Sequence, residues 1–197
     1  MSARTIRFAA IGAGNMGQAI LRGALAADVL KPAQTLVIDV DGERRAAFEQ
    51  LGCRTSGDPA AVADADAILL AVKPQSYPSV AMTIGRLPRP ALVISVMAGI
   101  RSETIRADLG ETARIVRVMP NTPAQVGAGM SAIALGAGAR PGDDELALRL
   151  FSSIGETLRL DESMMDAVTA VCGSGPAYAF LLAESMERGA VALGFSE

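Results

Sequence analysis

Ile11-Gly12-Ala13-Gly14-Asn15-Met16-Gly17 is the stretch on which the fold turns. It ends a short apolar run, Ile6 to Ile11, of the kind that forms a buried parallel strand. It opens Met16 to Ala27, where Ile20, Leu21, Ala24 and Leu25 recur at helical spacing. A Gly-x-Gly-x-x-Gly turn between strand and helix has a mechanical meaning. Gly12 permits the tight turn, Gly14 lets the backbone approach a pyrophosphate, and Gly17 lets helix and strand pack closely. The helix N-terminus then presents free N–H groups and a positive dipole end to the phosphates. An acidic residue about 20 positions on completes the pattern, and Asp39 at the end of the second strand supplies it. Its carboxylate can accept from the adenosine ribose hydroxyls and would repel a 2′-phosphate; a solvated strand-end aspartate is the plainer role. Arg44 and Arg45 follow closely enough to meet a 2′-phosphate, so these residues leave the choice between NAD and NADP open.

Working outward, short apolar strands alternate with helices. Strands are predicted at Leu36 to Asp39, Ala67 to Val72, Leu92 to Val96 and Ile115 to Met119, with helices at Glu43 to Leu51 and Ser102 to Leu109. This alternation predicts an α/β, doubly wound Rossmann-type sheet. Two more strands, after Gly129 and near Leu158, flank a helix around Asp144 to Phe151 and extend the sheet at one edge. From Ser163 the pattern is helical only. Met164 to Val171 and Ala177 to Leu193 are separated by an interruption at Cys172-Gly173-Ser174-Gly175-Pro176. The chain therefore divides into a dinucleotide-binding domain, 1–162, and the beginning of an all-helical domain, 163–197.

Ligands of such sheets lie beyond the carboxyl ends of the strands. The segments ending there are Ala71-Val72-Lys73-Pro74, Val96-Met97-Ala98-Gly99 and Met119-Pro120-Asn121-Thr122. The expected cofactor-binding set is Ile11, Gly12, Ala13, Gly14, Asn15, Met16, Asp39, Ala71, Val72, Lys73, Pro74, Val96, Met97, Ala98 and Asn121. Asp58 before Pro59 reads as a helix start in preference to an adenine contact.

Composition narrows the chemistry. Of 197 residues, 50% are hydrophobic and 20% charged, ordinary for a globular chain. The net charge of −3 gives no electrostatic case for nucleic acid or an anionic membrane. The sequence contains no histidine, which removes Ser-His-Asp triads, imidazole acid–base chemistry and nearly every histidine-containing metal site, and no metal is expected. Cys53 and Cys172 lack metal or redox spacing and read as reduced thiols. No leader pattern opens the chain, and no run approaches the ~20 apolar residues of a membrane helix. The expectation is a cytoplasmic protein.

Taken in order, Ile-Gly-Ala-Gly-Asn-Met (11–16), Ala-Val-Lys-Pro-Gln (71–75), Ala-Gly-Ile (98–100), Met-Pro-Asn-Thr-Pro (119–123) and Gly-Ser-Gly-Pro-Ala-Tyr (173–178) resemble pyrroline-5-carboxylate reductase. The resemblance implies hydride transfer from NAD(P)H to the C=N carbon of 1-pyrroline-5-carboxylate, giving L-proline in the last step of its biosynthesis. It also implies a homo-oligomer. Family members commonly carry a polar or basic residue after the second strand, whereas Asp39-Val40-Asp41 stands here and tilts the expectation towards NADH. The family also continues into a dimerisation region with a Ser-Pro-Gly-Gly-Thr-Thr-like loop for the substrate carboxylate. This sequence stops at Glu197 without that loop, so either a shortened chain or an impaired activity is expected, and those substrate residues have no counterparts to name.

Three residues are candidates for chemistry. Lys73 can stabilise the nicotinamide amide or a substrate carboxylate, or merely flank its strand. Asn121 offers a donor and acceptors near the ring, or a turn between Pro120 and Pro123. Ser174 is expected to cap a new helix, either as a plain change of direction or with that helix N-terminus pointing at the crevice. Two readings compete with the imine reductase. A hydroxyacid-dehydrogenase-like enzyme would place a lysine about four residues after Gly175, where Pro176 to Phe180 holds none. A dinucleotide-binding module without catalysis is the other.

Overall fold

A computed structural model describes residues 7–196; residues 1–6, the first part of the stretch read for a leader and including the expected strand start at Ile6, lie outside them. The centre is an eight-stranded sheet of β1 (Phe8–Ile11), β2 (Thr35–Ile38), β3 (Arg54–Ser56), β4 (Ala67–Leu70), β5 (Ala91–Ser95), β6 (Ala113–Met119), β7 (Gly129–Leu135) and β8 (Gly155–Arg159). Their order is β3-β2-β1-β4-β5-β6-β7-β8. Every pair is parallel except β6 with β7, which are antiparallel. The doubly wound α/β class is therefore observed, with β7 and β8 extending one edge as expected.

The inner strands are continuous apolar runs because both of their faces are buried. Ala10, Val37, Leu69, Ile94 and Val116 face one layer, formed by α1 (Asn15–Ala26), α2 (Gly42–Glu49) and α5 (Glu145–Ser152) through Ile20, Leu21, Phe48, Leu150 and Phe151. Ile38, Ile68, Leu70, Val93 and Ile115 face the other. There α3 (Tyr77–Ile84) and α4 (Ser102–Leu109) contribute Tyr77, Ala81, Ile105 and Leu109. Strand order reverses at β1, between β2 and β4, so the crevice opens where the glycine turn and the β4 loop lie side by side.

Two elements were not anticipated. β3 is a three-residue edge strand of polar Arg54-Thr55-Ser56, without the apolar pattern that marks its neighbours. α3 follows the Lys73-Pro74 turn and carries Pro78 in its first turn, where a missing N–H costs no helical bond.

One expectation is overturned. The chain does not break at 172–176: α6 (Met165–Val168) runs through a π turn, Thr169–Gly173, into α7 (Gly175–Ala192). Ser174 has helical angles, φ −91 and ψ −21, makes no capping bond, and donates its own N–H to Thr169 O at 3.1 Å. The wider π turn accommodates the proline ring, and Pro176 falls where its lost donor is harmless. No fresh helix N-terminus is created at Ser174. As a result Glu162–Ala192 is one helical run of 31 residues, long and apolar enough by length and composition to cross a membrane; the sequence reading had found no run of that length.

Candidate functional site

The glycine turn is fixed from three sides. Gly12 has φ +98, and a Cβ there would lie 2.4 Å from Ala71 O, so β4 leaves room for glycine only. A Cβ on Gly17 would lie 2.1 Å from Gly12 O, which is the close helix–strand packing expected of the third glycine. Gly12 N–H donates to Ile38 O at 2.8 Å, and Gln18 Nε2 donates to Ala13 O at 2.9 Å. Gly14 is different. A Cβ there would meet only Arg44 Nη1 at 3.8 Å, and no side chain caps α1. The loop thus turns an open backbone and an uncapped helix N-terminus to the same side, a cradle fitted to a pyrophosphate.

Asp39 performs a task the sequence did not reveal. Its Oδ2 accepts the Ala13 N–H at 2.7 Å and its Oδ1 accepts the Asp41 N–H at 2.9 Å. The carboxylate therefore ties the end of β2 to the glycine turn, and it is buried at 8% exposure. The two arginines also separate. Arg45 Nη1 donates to Asp39 O at 2.7 Å and Val40 O at 3.1 Å, strapping the turn after β2. Arg44 instead lies 3.6 Å from Asp39 Oδ2 and 3.3 Å from Asp41 Oδ2 and faces the cleft. Asp41 caps α2 by accepting the Glu43 N–H at 2.9 Å.

The cleft itself is about 410 Å³. Ile11, Gly12, Gly14, Asp39, Ala71, Val72 and Lys73 line it, so seven expected residues meet at one surface. Arg44, read from the sequence as able to meet a 2′-phosphate, joins them, as do Val40, Gly57, Ser76 and Ser79, which were not singled out as cofactor contacts. Lys73, exposed beyond β4, makes no ion pair among the described residues. Asp58 caps the turn after it, accepting the Ala60 N–H at 2.9 Å, as the helix-start reading expects.

The loops beyond β5 and β6 stand apart from this cleft. Met97 is 2% exposed and packs into the core; Val96 is half-buried against the opposite layer. Asn121 Oδ1 accepts the Met130 N–H at 2.9 Å, so its carbonyl end pins the start of β7 while its amide donors remain. The sequence had weighed this turn role against a ring contact. Gly173 lies close to the end of β6, its Cβ direction 3.9 Å from Met119 Sδ.

Residues 7–99 match the family described as NADP oxidoreductase coenzyme F420-dependent, and residues 162–197 match that described as pyrroline-5-carboxylate reductase dimerisation. The pyrroline-5-carboxylate reductase of Arabidopsis thaliana is 37% identical over 195 residues, covering 98% of this chain and 70% of the plant protein. That of Pseudomonas aeruginosa is 41% identical over 196 residues, covering 98% and 71%. The chain belongs to the pyrroline-5-carboxylate reductase family. Among solved structures, the Coxiella burnetii reductase superposes with a TM-score of 0.86 at 31% identity, covering 98% of this chain and 73% of that one. The Plasmodium falciparum enzyme, described with NADP bound, gives 0.83 at 28%, covering 99% and 72%. The family assignment makes the chain an NAD(P)H-dependent oxidoreductase.

Proposed function

We propose that this chain reduces 1-pyrroline-5-carboxylate to L-proline with NAD(P)H. The observation that carries the reading is the open, uncapped cradle at Gly14 beside the β4 loop, in a chain of this family. The bound nicotinamide supplies a hydride to the imine carbon, and a proton completes the amine. The residues supply position and charge. Gly14 and the α1 amides of Asn15 and Met16 hold the phosphates, Gly12 and Ala13 shape the turn through their bonds to Ile38 and Asp39, and Ile11, Ala71, Val72 and Pro74 wall the cleft. Lys73, a cation without a carboxylate partner among the described residues, orients the nicotinamide amide or the substrate carboxylate. Beyond that cleft, Val96 and Ala98 back the ring side with the buried Met97 packed behind them, and the amide donors of Asn121 serve the acceptor. Ser174 enters as a hydroxyl near the end of β6, with no helix dipole behind it.

The finer choice of cofactor favours NADH. Each Asp39 oxygen keeps a lone pair after its backbone bond, enough to receive a ribose hydroxyl, and a 2′-phosphate would stand against that carboxylate. Arg44 moderates the preference without reversing it. We divide the chain into 1–162 and 163–197, the second part serving self-association of a cytoplasmic homo-oligomer. This agrees with the apolar exposure of α7, where Phe180, Leu181 and Leu182 are all more than 60% exposed.

The test is oxidation of NADH and of NADPH by this chain in the presence of 1-pyrroline-5-carboxylate, with proline measured directly. Proline formation matched to cofactor oxidation, faster with NADH, is expected. Cofactor binding without proline would end the reading.

A further inference from the structure

Arg117 stands in the middle of β6 between Val116 and Val118 and is only 4% exposed. A guanidinium so placed needs a partner, and it finds Glu162, where the chain leaves the sheet for its helical run: Nη1 donates to Oε1 at 3.2 Å. The same carboxylate accepts the Ser102 N–H at 3.0 Å and the Ser102 hydroxyl at 2.5 Å. Ser102 is the first residue of α4, whose own N-cap, Arg101, makes no side-chain bond. Glu162 therefore caps α4 from 60 residues away, placing its charge at the positive helix end. Ser102 Oγ in turn accepts the Ala137 N–H at 2.9 Å. The knot closes only because residue 136 is glycine. A Cβ there would lie 2.5 Å from Ser102 Cβ and 3.1 Å from Glu162 Oε2.

We infer that this Arg117–Glu162–Ser102 knot is a positioning device that sets the angle of the helical run against the sheet, and through it the geometry of the acceptor side of the reaction. The inference rests on the reductase reading for its catalytic consequence, though not for its structural one. Beyond the knot the run is anchored by a small apolar shelf, where Met165 and Val168 pack on Met119, Ala132 and Ala134. α7 itself buries no residue. Gly173 is 11 residues from Glu162, about 16 Å along a helix at 1.5 Å per residue. A tilt of roughly 10° at the knot would move Gly173 by about 3 Å relative to Met119, and hydride transfer tolerates misplacement of about 1 Å poorly. The cofactor cleft draws on β1, β2 and β4 and shares none of these residues.

The test compares the whole chain with S102A, with E162Q, and with the double variant R117M/E162M, which removes both charges and keeps an apolar filling. Two measurements are made: hydrogen exchange of the amides of 165–173, and separate KM values for 1-pyrroline-5-carboxylate and for the dinucleotide. Exchange at 165–173 should quicken at least tenfold in E162Q and in the double variant, and less in S102A, with α1 unchanged. The imine KM should rise about tenfold while the dinucleotide KM stays within twofold, in the double variant as well, provided it melts near the parent. Unchanged exchange would overturn the knot as a positioning device. So would imine and dinucleotide KM values that rise together. If the parent chain forms no proline, the reductase reading fails alone and the exchange measurement still decides the knot.

Discussion

The glycine turn and α7 represent two opposite ways for a chain to commit its residues. At the turn, β1, β2, β4 and α1 converge, and the short span from Gly12 to Gln18 is held by Ile38, Asp39 and the wall of Ala71. α7 has 18 residues and buries none of them, leaving Phe180, Leu182 and Met186 between 63% and 68% exposed. The turn is finished by this chain alone, whereas the helix is a surface that awaits a second body. The dimerisation match over residues 162–197 is consistent with a second copy in that role. Packing within the chain is thus dense around the glycine turn, and α7 leaves its apolar surface open.

The largest expected effect breaks the turn. Gly12→Ala sets a Cβ 2.4 Å from a backbone oxygen at φ +98, and strain with overlap on this scale should cost more than about 3 kcal/mol. Urea unfolding would record it; a cost below about 1 kcal/mol would mean the turn is not rigid. Gly14→Ala sharpens the same point, because that Cβ meets only Arg44. Melting should stay close to the parent while dinucleotide Kd rises about tenfold, or about 1.4 kcal/mol. Equal losses of stability in the two variants would erase the distinction between a packed glycine and an open one.

On the helix the prediction is reversed. F180E with L182E should leave the unfolding free energy of the isolated chain within about 0.5 kcal/mol per site, as exposed substitutions do. Sedimentation should nonetheless move from the oligomer towards the monomer. Loss of the fold with association intact would contradict the division of labour. Between these extremes, Asp39→Ser removes both the ribose acceptor and the tie to Ala13. Affinity should fall for both dinucleotides, more for NADH, moving the NADPH-to-NADH ratio about tenfold upward, or about 1.4 kcal/mol. An unchanged ratio would reduce Asp39 to a brace for the turn.

How much of this was legible follows the range of the interactions. β1, β2, β4, β5 and β6 announce themselves because strands buried on both faces become unbroken apolar runs, and the glycine turn because each of its glycines answers a local demand. β3 escaped notice because an edge strand needs no apolar pattern, and α3 because Pro74 and Pro78, four residues apart, interrupt the helical spacing at its start. Gly173-Ser174-Gly175-Pro176 carries every local sign of a break, yet packing of Met165 and Val168 on β6 and β7 carries the helix through a π turn. The second role of Asp39 and the knot at Glu162 join residues 26 and 45 to 60 positions apart. Periodicity and spacing report on neighbours along the chain and have no access to such pairs.

The smallest effect uses a thiol already present in each region. Cys53 is 7% exposed in the core of the nucleotide half, and burial pushes its thiol above the ordinary range. Cys172 lies half-buried in the π turn, at the edge of the small apolar shelf. The thiolate attacks a disulfide reagent and expels its other sulfur, so Cys53 is protected twice, by access and by its raised pKa. Its neutral form contributes stability that is complete below the ordinary thiol range and lost as pH rises through the raised value. At pH 8 one thiol, Cys172, should react promptly. Cys53 should follow only at the rate of global opening, since core amides and thiols share that event. C172S would leave the slow phase alone, identifying it. Two phases of similar rate would mean that the nucleotide half opens as readily as the helical run, and the contrast between a region complete in itself and a region built for a partner would not survive.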